Sequence, residues 1–323
     1  MSENEYREFY LKLEEFDKSL NLIYPLLIMF LGLIGNTFTI YIFSKKCFRK
    51  CSIGTYYSYL SLIDSLILVL GSTRFFLEAN NQINITTLSN LTCKFFTSTM
   101  YILQQISAWI LMFASLDRIF LVKVPPVLIF KNVKKLKIFV ILATTLFLIF
   151  LNIPNIMFLE IKHKDIKQYN RSIINVKYCE LTDGSFFNNN VADIIDLFLF
   201  AIIPFVVMLI SSIIISRIIF FSKRKFYRTN MKKNKRDYQF AITILAMNFL
   251  FLILNLPICL HLLFRNFTDE SKREYNERVL YNIVYTISNI LSYLNFSNSI
   301  FVNLALNHLF RKEFIKIFLK KKI

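Results

Sequence analysis

Apolar residues fall in seven long runs, at about 22–43, 55–77, 95–122, 136–159, 194–221, 240–264 and 280–306. Each is about 20 residues or longer, the length a helix rising ~1.5 Å per residue needs to cross ~30 Å of hydrocarbon. In lipid a backbone must satisfy its own polar groups, so runs of this length predict helices. Within the runs there are no short alternating segments of the kind a membrane strand shows. The pattern predicts an all-α membrane protein, a seven-transmembrane helix bundle with an amphipathic eighth helix. That last helix is read from Phe310, Phe314, Ile317 and Phe318 at helical spacing, with Arg311, Lys312, Lys316 and Lys320 on the other face. Such a helix lies on an anionic leaflet, which makes membrane lipids a partner. The expected division is an extracellular N-terminal segment at 1–21, the seven-span domain at 22–306, and the amphipathic helix with a short cytoplasmic tail at 307–323. There is no internal repeat and no Gly/Ser linker.

Charge then sets the sidedness. The chain is 55% hydrophobic with a net charge of +18. On charge alone a nucleic-acid binder is conceivable, but the apolar runs exclude a soluble one. The basic residues cluster after runs 1, 3, 5 and 7: four at 44–52, five at 123–137, nine at 217–236 and six at 311–322, together 24 of the 39. Glu313 is the only acid among them. The alternate segments are neutral to acidic, with three basic against six acidic residues at 1–21. The basic loops are therefore expected in the cytoplasm, with the N-terminus outside a multi-pass plasma-membrane protein. Four glycosylation sequons, at Asn84, Asn90, Asn170 and Asn266, fall in the expected outer loops, although an Asn-rich chain also meets N-x-S/T by chance. A fifth match, at Asn295, lies inside run 7 and is expected to be unmodified. No cleavable signal peptide is expected, and run 1 reads as a signal anchor.

An ionisable residue in a spanning helix is expensive and marks function by default. Asp64 sits mid-run, Asp117 and Arg118 sit at the inner end of run 3, and Asp196 sits near the outer end of run 5. Gly35-Asn36 lies in run 1, and Leu60-Ser61-Leu62-Ile63-Asp64 in run 2. Asp117-Arg118-Ile119 is followed by Val122 and Pro125. Cys93 stands 25 residues before Arg118, and Pro154, Pro204 and Pro257 punctuate runs 4, 5 and 6. With these motifs the chain resembles the rhodopsin-like (class A) G-protein-coupled receptors, from about residue 22 to 318, and among them the peptide receptors.

The resemblance implies a receptor for an extracellular ligand that activates a heterotrimeric G protein. It implies a disulfide between Cys93 and Cys179. It implies a switch in which Arg118, beside Asp117, reaches Asp237, 20 residues before Pro257; the alternative for Asp237 is local pairing with Lys233 or Arg236. It also implies an allosteric sodium ion, the only cofactor or metal expected, held at Asp64 with Ser107, Asn295 and Ser299. The other reading there is a protonated Asp64 hydrogen-bonded to Asn36 and Asn295. The departures lie in helices 4 to 7, and helix 4 has no tryptophan, the single one being Trp109 in run 3. Asn255 stands where the family carries the helix 6 tryptophan, and Ser212 where helix 5 usually carries tyrosine. Ser299-Ile300-Phe301-Val302-Asn303 replaces Asn-Pro-x-x-Tyr. Activation through these positions is therefore non-standard.

Two ligand classes are argued against. Aminergic receptors need an Asp where Met100 stands, and opsins need a Lys where Tyr293 stands. The remaining outer-half positions are Tyr101, Gln104, Gln105, Asp193, Asp196, His261, Tyr285 and Asn289, a polar and aromatic set. Asp193 and Asp196 suit a basic ligand group, and the acidic N-terminal segment would steer one. A neuropeptide is the expected ligand; a small-molecule chemoreceptor and a non-coupling decoy of the same fold are the alternatives. No catalytic residues are expected: no metalloprotease, serine-hydrolase or phosphate-loop motif occurs, and the three His are scattered. A transporter would show internal symmetry and paired broken helices, which the sequence lacks.

Overall fold

The computed structural model describes residues 3–45, 48, 52–81, 83–123, 133–167, 173–182, 189–222, 231–267 and 274–319. The first three long helices are α1 (Glu3–Ser44), α2 (Ser52–Asn81) and α3 (Asn90–Lys123). A fourth span is made of α4 (Val133–Leu151) and α5 (Ile153–Phe158), and a hairpin of β1 (Leu159–Lys167) and β2 (Ile173–Leu181) follows it. The fifth joins α6 (Asn189–Leu197) through a π-helical turn, Phe198–Ile202, to α7 (Ile203–Ser222). The sixth is α8 (Met231–Phe267), the seventh is α9 (Tyr275–Ser297) with α10 (Ser299–Leu306), and α11 (His308–Leu319) closes the described chain.

Six of these segments are long and apolar enough to cross a membrane by length and composition. The seventh falls short because its inward face is polar: Thr286, Ser288, Asn289, Ser292, Asn295 and Ser297 are buried. Its outward stripe, Leu280, Val284, Ile287 and Leu294, is apolar and exposed at helical spacing. The whole bundle is arranged this way. Leu27, Phe30, Leu31 and Ile34 of α1, and Phe139, Leu142, Leu146 and Phe150 of α4, face outward, while Asn36, Asp64, Asn248 and Asn303 are buried. Apolar side chains outside and hydrogen-bonded polar ones inside is the arrangement lipid imposes.

The helix α3 is central, packing on α2, α4, α5, α7 and α8, while α1 lies against α2 and α9. Gly35 lets α1 also approach α10 closely: a Cβ there would stand 2.6 Å from Ile300 Cγ2. There is no helix break at residue 21. Glu8 and Lys12 pair at 2.7 Å one turn apart, and the N-terminal turns dock on α9. There Tyr275 Oη donates to Glu14 Oε2 at 2.6 Å, and Asn21 Nδ2 donates to Thr286 Oγ1 at 3.0 Å.

Proline explains two irregularities. Pro154, at the first turn of α5, interrupts the fourth span after Asn152. Pro204 has no N–H, and in the π-helical turn before it the N–H of Ile203 bonds to Phe198 O. That shift leaves the carbonyl of Leu199 without a helical donor, and the indole N–H of Trp109 in α3 fills it at 2.8 Å. The break at Asn298, between α9 and α10, occurs without proline.

Candidate functional site

The two ends of the bundle differ. At one, Cys93 of α3 is joined to Cys179 of β2 across 86 residues, with Cα atoms 5.5 Å apart. The hairpin is antiparallel, with Ile161 opposite Cys179, and it is pinned further by Asn90 Oδ1, which accepts from Ile161 N at 3.1 Å. Cys93, Leu159 and Leu181 form a small apolar cluster beneath it.

At the other end α11 folds back on α1. Phe314 and Phe318 pack on Phe38 at 5.3 and 5.9 Å, and Asn307 Oδ1 caps α11 by accepting from Phe310 N. Glu313 bonds to Lys316 at 2.6 Å and to Lys45 of α1 at 3.1 Å. These partners, Lys316 first, hold its carboxyl below the usual carboxylate range.

Near this α11 end Asp117 forms an ion pair with Lys137 of α4 at 2.6 Å, with side chains 14% and 5% exposed. Lys137 Nζ also lies 5.2 Å from the ring centroid of Tyr56. Lys137 counts among the basic loop residues by sequence, yet it is the buried counter-charge of Asp117. Arg118 is 2% exposed and sets its guanidinium 5.4 Å from the ring centroid of Phe240 in α8. The side chain of Asp237 lies outside the described residues, so the expected Arg118–Asp237 bridge does too.

Two asparagines of α8 tie it to its neighbours. Asn248 Oδ1 accepts from Ser115 Oγ of α3 at 2.9 Å, and Asn248 Nδ2 donates to Ser212 Oγ of α7 at 3.0 Å. Asn255 Oδ1 accepts from Ser292 Oγ of α9 at 2.8 Å. The positions that depart from the family pattern, Ser212 and Asn255, are therefore partners in interhelical hydrogen bonds.

In the middle of the bundle Asp64, 3% exposed, accepts from Ser107 Oγ at 2.6 Å. Asn36 Nδ2 donates to Phe296 O at 3.1 Å. Asn295 Oδ1 has Asn298 Nδ2 at 3.5 Å, and Asn303 Nδ2 donates to Ser299 O. Asn36 Oδ1, Ser61 Oγ and Ser299 Oγ are buried with no hydrogen-bond partner. These oxygens lie on α1, α2 and α10, segments that pack around α9. Orphaned oxygens together with a carboxylate fit a hard cation or ordered water.

Toward the disulfide end a hydrogen-bonded chain crosses three spans. Gln105 Nε2 donates to Asp196 Oδ1 at 2.7 Å, Asn152 Nδ2 to Gln105 Oε1 at 2.7 Å, and Asn155 Nδ2 to Asn152 Oδ1 at 3.1 Å. A cavity of about 10 Å³ beside it is the size of one water. His261 is buried between Tyr281 and Tyr285, with ring centroids at 4.2 and 5.0 Å. Asn289 Nδ2 donates to Tyr285 O at 2.9 Å, and Asp193 is buried. Met100, Tyr101 and Gln104 are half-buried on α3.

Of the sequons, Asn84 caps the turn Ile85–Thr87 by accepting from Thr86 N, and Asn90 is exposed at the start of α3. Asn170 and the side chain of Asn266 lie outside the described residues, as do Cys47 and Cys51. Cys259 is a buried free thiol.

Motif spacing does not find Lys137, Asn152, Asn248, Ser292 or Arg74. Each is a polar residue inside an apolar run, so polarity within the run, and not motif position alone, raises all five. Arg74 is ionisable and lies inside the 55–77 run.

Comparison with curated proteins returns no significant match. Residues 35–297 match the family described as 7 transmembrane receptor (rhodopsin family). The matched stretch holds the Gly35-Asn36 pair, Asp64, the Cys93–Cys179 link, Asp117-Arg118 and Asn255, and it covers most of the seven-span bundle. The chain belongs to the rhodopsin family of seven-transmembrane receptors.

Proposed function

We propose that this receptor sits in the plasma membrane with its N-terminus outside, binds a neuropeptide at its disulfide end, and activates a heterotrimeric G protein at its α11 end. A member of this family is a multi-pass membrane receptor, not an enzyme. The observation that carries the signalling reading is the bridge at Asn248. It holds α8 to α3 and α7 through two hydrogen bonds of 2.9 and 3.0 Å. Such bonds between membrane helices are worth only about 0.6 kcal/mol each on average. A contact that weak can open and reclose, which a two-state switch requires.

The hairpin tethered by Cys93–Cys179 is the lid over the ligand end. A ligand touching His261, Tyr285 or Asp193 biases α8 and α9, and the opened α11 end receives the G protein. Arg118 is the group that opening uncovers, with Asp237 as its closed-state partner on α8. Asp64, Ser107, Asn295 and Ser299 would hold a sodium ion, which supplies the counter-charge Asp64 otherwise lacks; the orphaned Ser299 Oγ supports this. Lipid contact falls to Ile315, Phe318 and Leu319 of α11, which are exposed. Asn84, Asn90, Asn170 and Asn266 are the glycan sites of this orientation.

A second reading is a receptor that binds without coupling, and the Asn255–Ser292 bond in place of the family tryptophan favours it. The test is a peptide-library screen of the expressed chain with a promiscuous G-protein readout. Peptide-driven responses support the proposal. Responses confined to non-peptide compounds indicate a chemoreceptor. Binding at the surface with no second messenger from any G-protein family indicates the decoy.

A further inference from the structure

We propose that Arg74 of α2 is the anchor for a carboxylate group on the ligand. This rests on the receptor reading above only in placing the ligand at the disulfide end. Arg74 stands on the last turns of α2, which lead through Ile85–Thr87 to Cys93. Its neighbourhood faces into the bundle. The guanidinium is within electrostatic reach of the phenols of Tyr101 in α3 and of Tyr285 and Tyr293 in α9. Gly71, one turn earlier, is where the ring of Tyr293 meets α2, and the Phe75 ring centroid is 5.8 Å from the guanidinium carbon.

The cation is poorly served by the protein itself. Its ion pair with Glu78, one turn along the same helix, spans 4.0 Å from Nε to Oε2, too long for a hydrogen bond. Glu78 also accepts from Asn84 Nδ2 at 3.2 Å and its side chain is 45% exposed, so it leans toward the loop. Arg74 Nε is buried with no hydrogen-bond partner, while 31% of the side chain remains open. A guanidinium is a planar fork of donors that matches the two oxygens of a carboxylate. The surrounding phenols add neutral donors. Arg74 carries one charge, which balances a carboxylate and leaves a phosphate dianion half-neutralised. Across the bundle Asp196 is already hydrogen-bonded to Gln105.

The carboxylate has two sources, the free C-terminus of a peptide or a small carboxylic acid, and the test separates them. Full-length receptor in lipid nanodiscs is heated with four probe sets. These are a pool of free-acid tetrapeptides, the same pool C-terminally amidated, a series of linear monocarboxylates, and the matching alcohols. Acid members are expected to raise the melting temperature where amides and alcohols do not. Arg74→Gln should weaken that response about tenfold or more, as loss of a charge-assisted pair implies, with Arg74→Lys recovering part of it. Response in only the peptide arm or only the small-acid arm identifies the source. Equal response to acid and amide, an Arg74→Gln response equal to wild type, or no acid response at millimolar concentration overturns the proposal. If Arg74→Gln fails to fold, the acid–amide comparison on wild type and Arg74→Lys decides. The readout needs no G protein, so its failure is distinct from a failure to couple.

Discussion

Ser292 of α9 donates a 2.8 Å hydrogen bond to Asn255 of α8, and both side chains are buried. Asn255 anchors its own amide on Phe251 O at 2.9 Å, so its carbonyl is aimed at α9. Where the family places a large aromatic ring, this chain places a polar clasp between the sixth and seventh spans. Ser292→Ala orphans the acceptor and should destabilise by about 1 kcal/mol. Asn255→Leu should cost a similar amount, and the double variant less than the sum. Thermal unfolding of the four proteins measures the coupling; strictly additive costs would mean the bond contributes nothing.

Lys137 and Asp117 form the most buried ion pair among the described residues. Removing one member of such a pair takes a close counter-charge from the other. Lys137→Met is therefore expected to destabilise by about 3 kcal/mol, and Lys137→Arg, which keeps the charge, by much less. Melting temperatures in nanodiscs check this. A neutral Lys137→Met would show that the pair contributes nothing to stability.

Gly71 lies where the ring of Tyr293 presses on α2, and an added Cβ would overlap the Tyr293 Oη and Cζ atoms. Tyr293 is buried and its ring also meets Phe75 at 5.6 Å and Phe296 at 6.1 Å, so it has little room to retreat. Gly71→Ala should cost about 1–3 kcal/mol by overpacking. Adding Tyr293→Ala should remove that penalty, leaving only the cost of the Tyr293 truncation itself. A Gly71→Ala protein as stable as wild type would place the ring elsewhere.

The seven spans are legible in the sequence because lipid demands length and apolarity, and nothing else in a chain produces runs like 194–221. The α11 helix is legible for a similar reason, its 3.6-residue stripe. The helix through residues 3–21 is not, since Glu and Lys there suit an exposed tail as well as the turns that dock on α9 through Glu14 and Asn21. Partners are the least legible feature. Periodicity says which face of α4 points inward but not that Lys137 meets Asp117. It shows that Asn248 is polar in an apolar run but not that it spans to both Ser115 and Ser212. Arg74 is hidden by position: it lies a few residues from the end of its run, where a basic residue passes for a helix terminus.

In the proposed switch α8 is a moving element held closed by Asn248. Asn248→Leu tests it cleanly, because Ser115 Oγ keeps a second acceptor in Leu111 O at 3.0 Å and no orphan remains on α3. Two bonds of about 0.6 kcal/mol each correspond to a roughly five- to tenfold shift toward the open state when that state is minor. Basal nucleotide exchange should be measured across the G-protein families, for wild type and Asn248→Leu at matched surface levels and without ligand. A rise of that order with at least one G protein is predicted. Unchanged exchange with every family, from a variant that reaches the surface intact, would mean that Asn248 does not hold α8 closed.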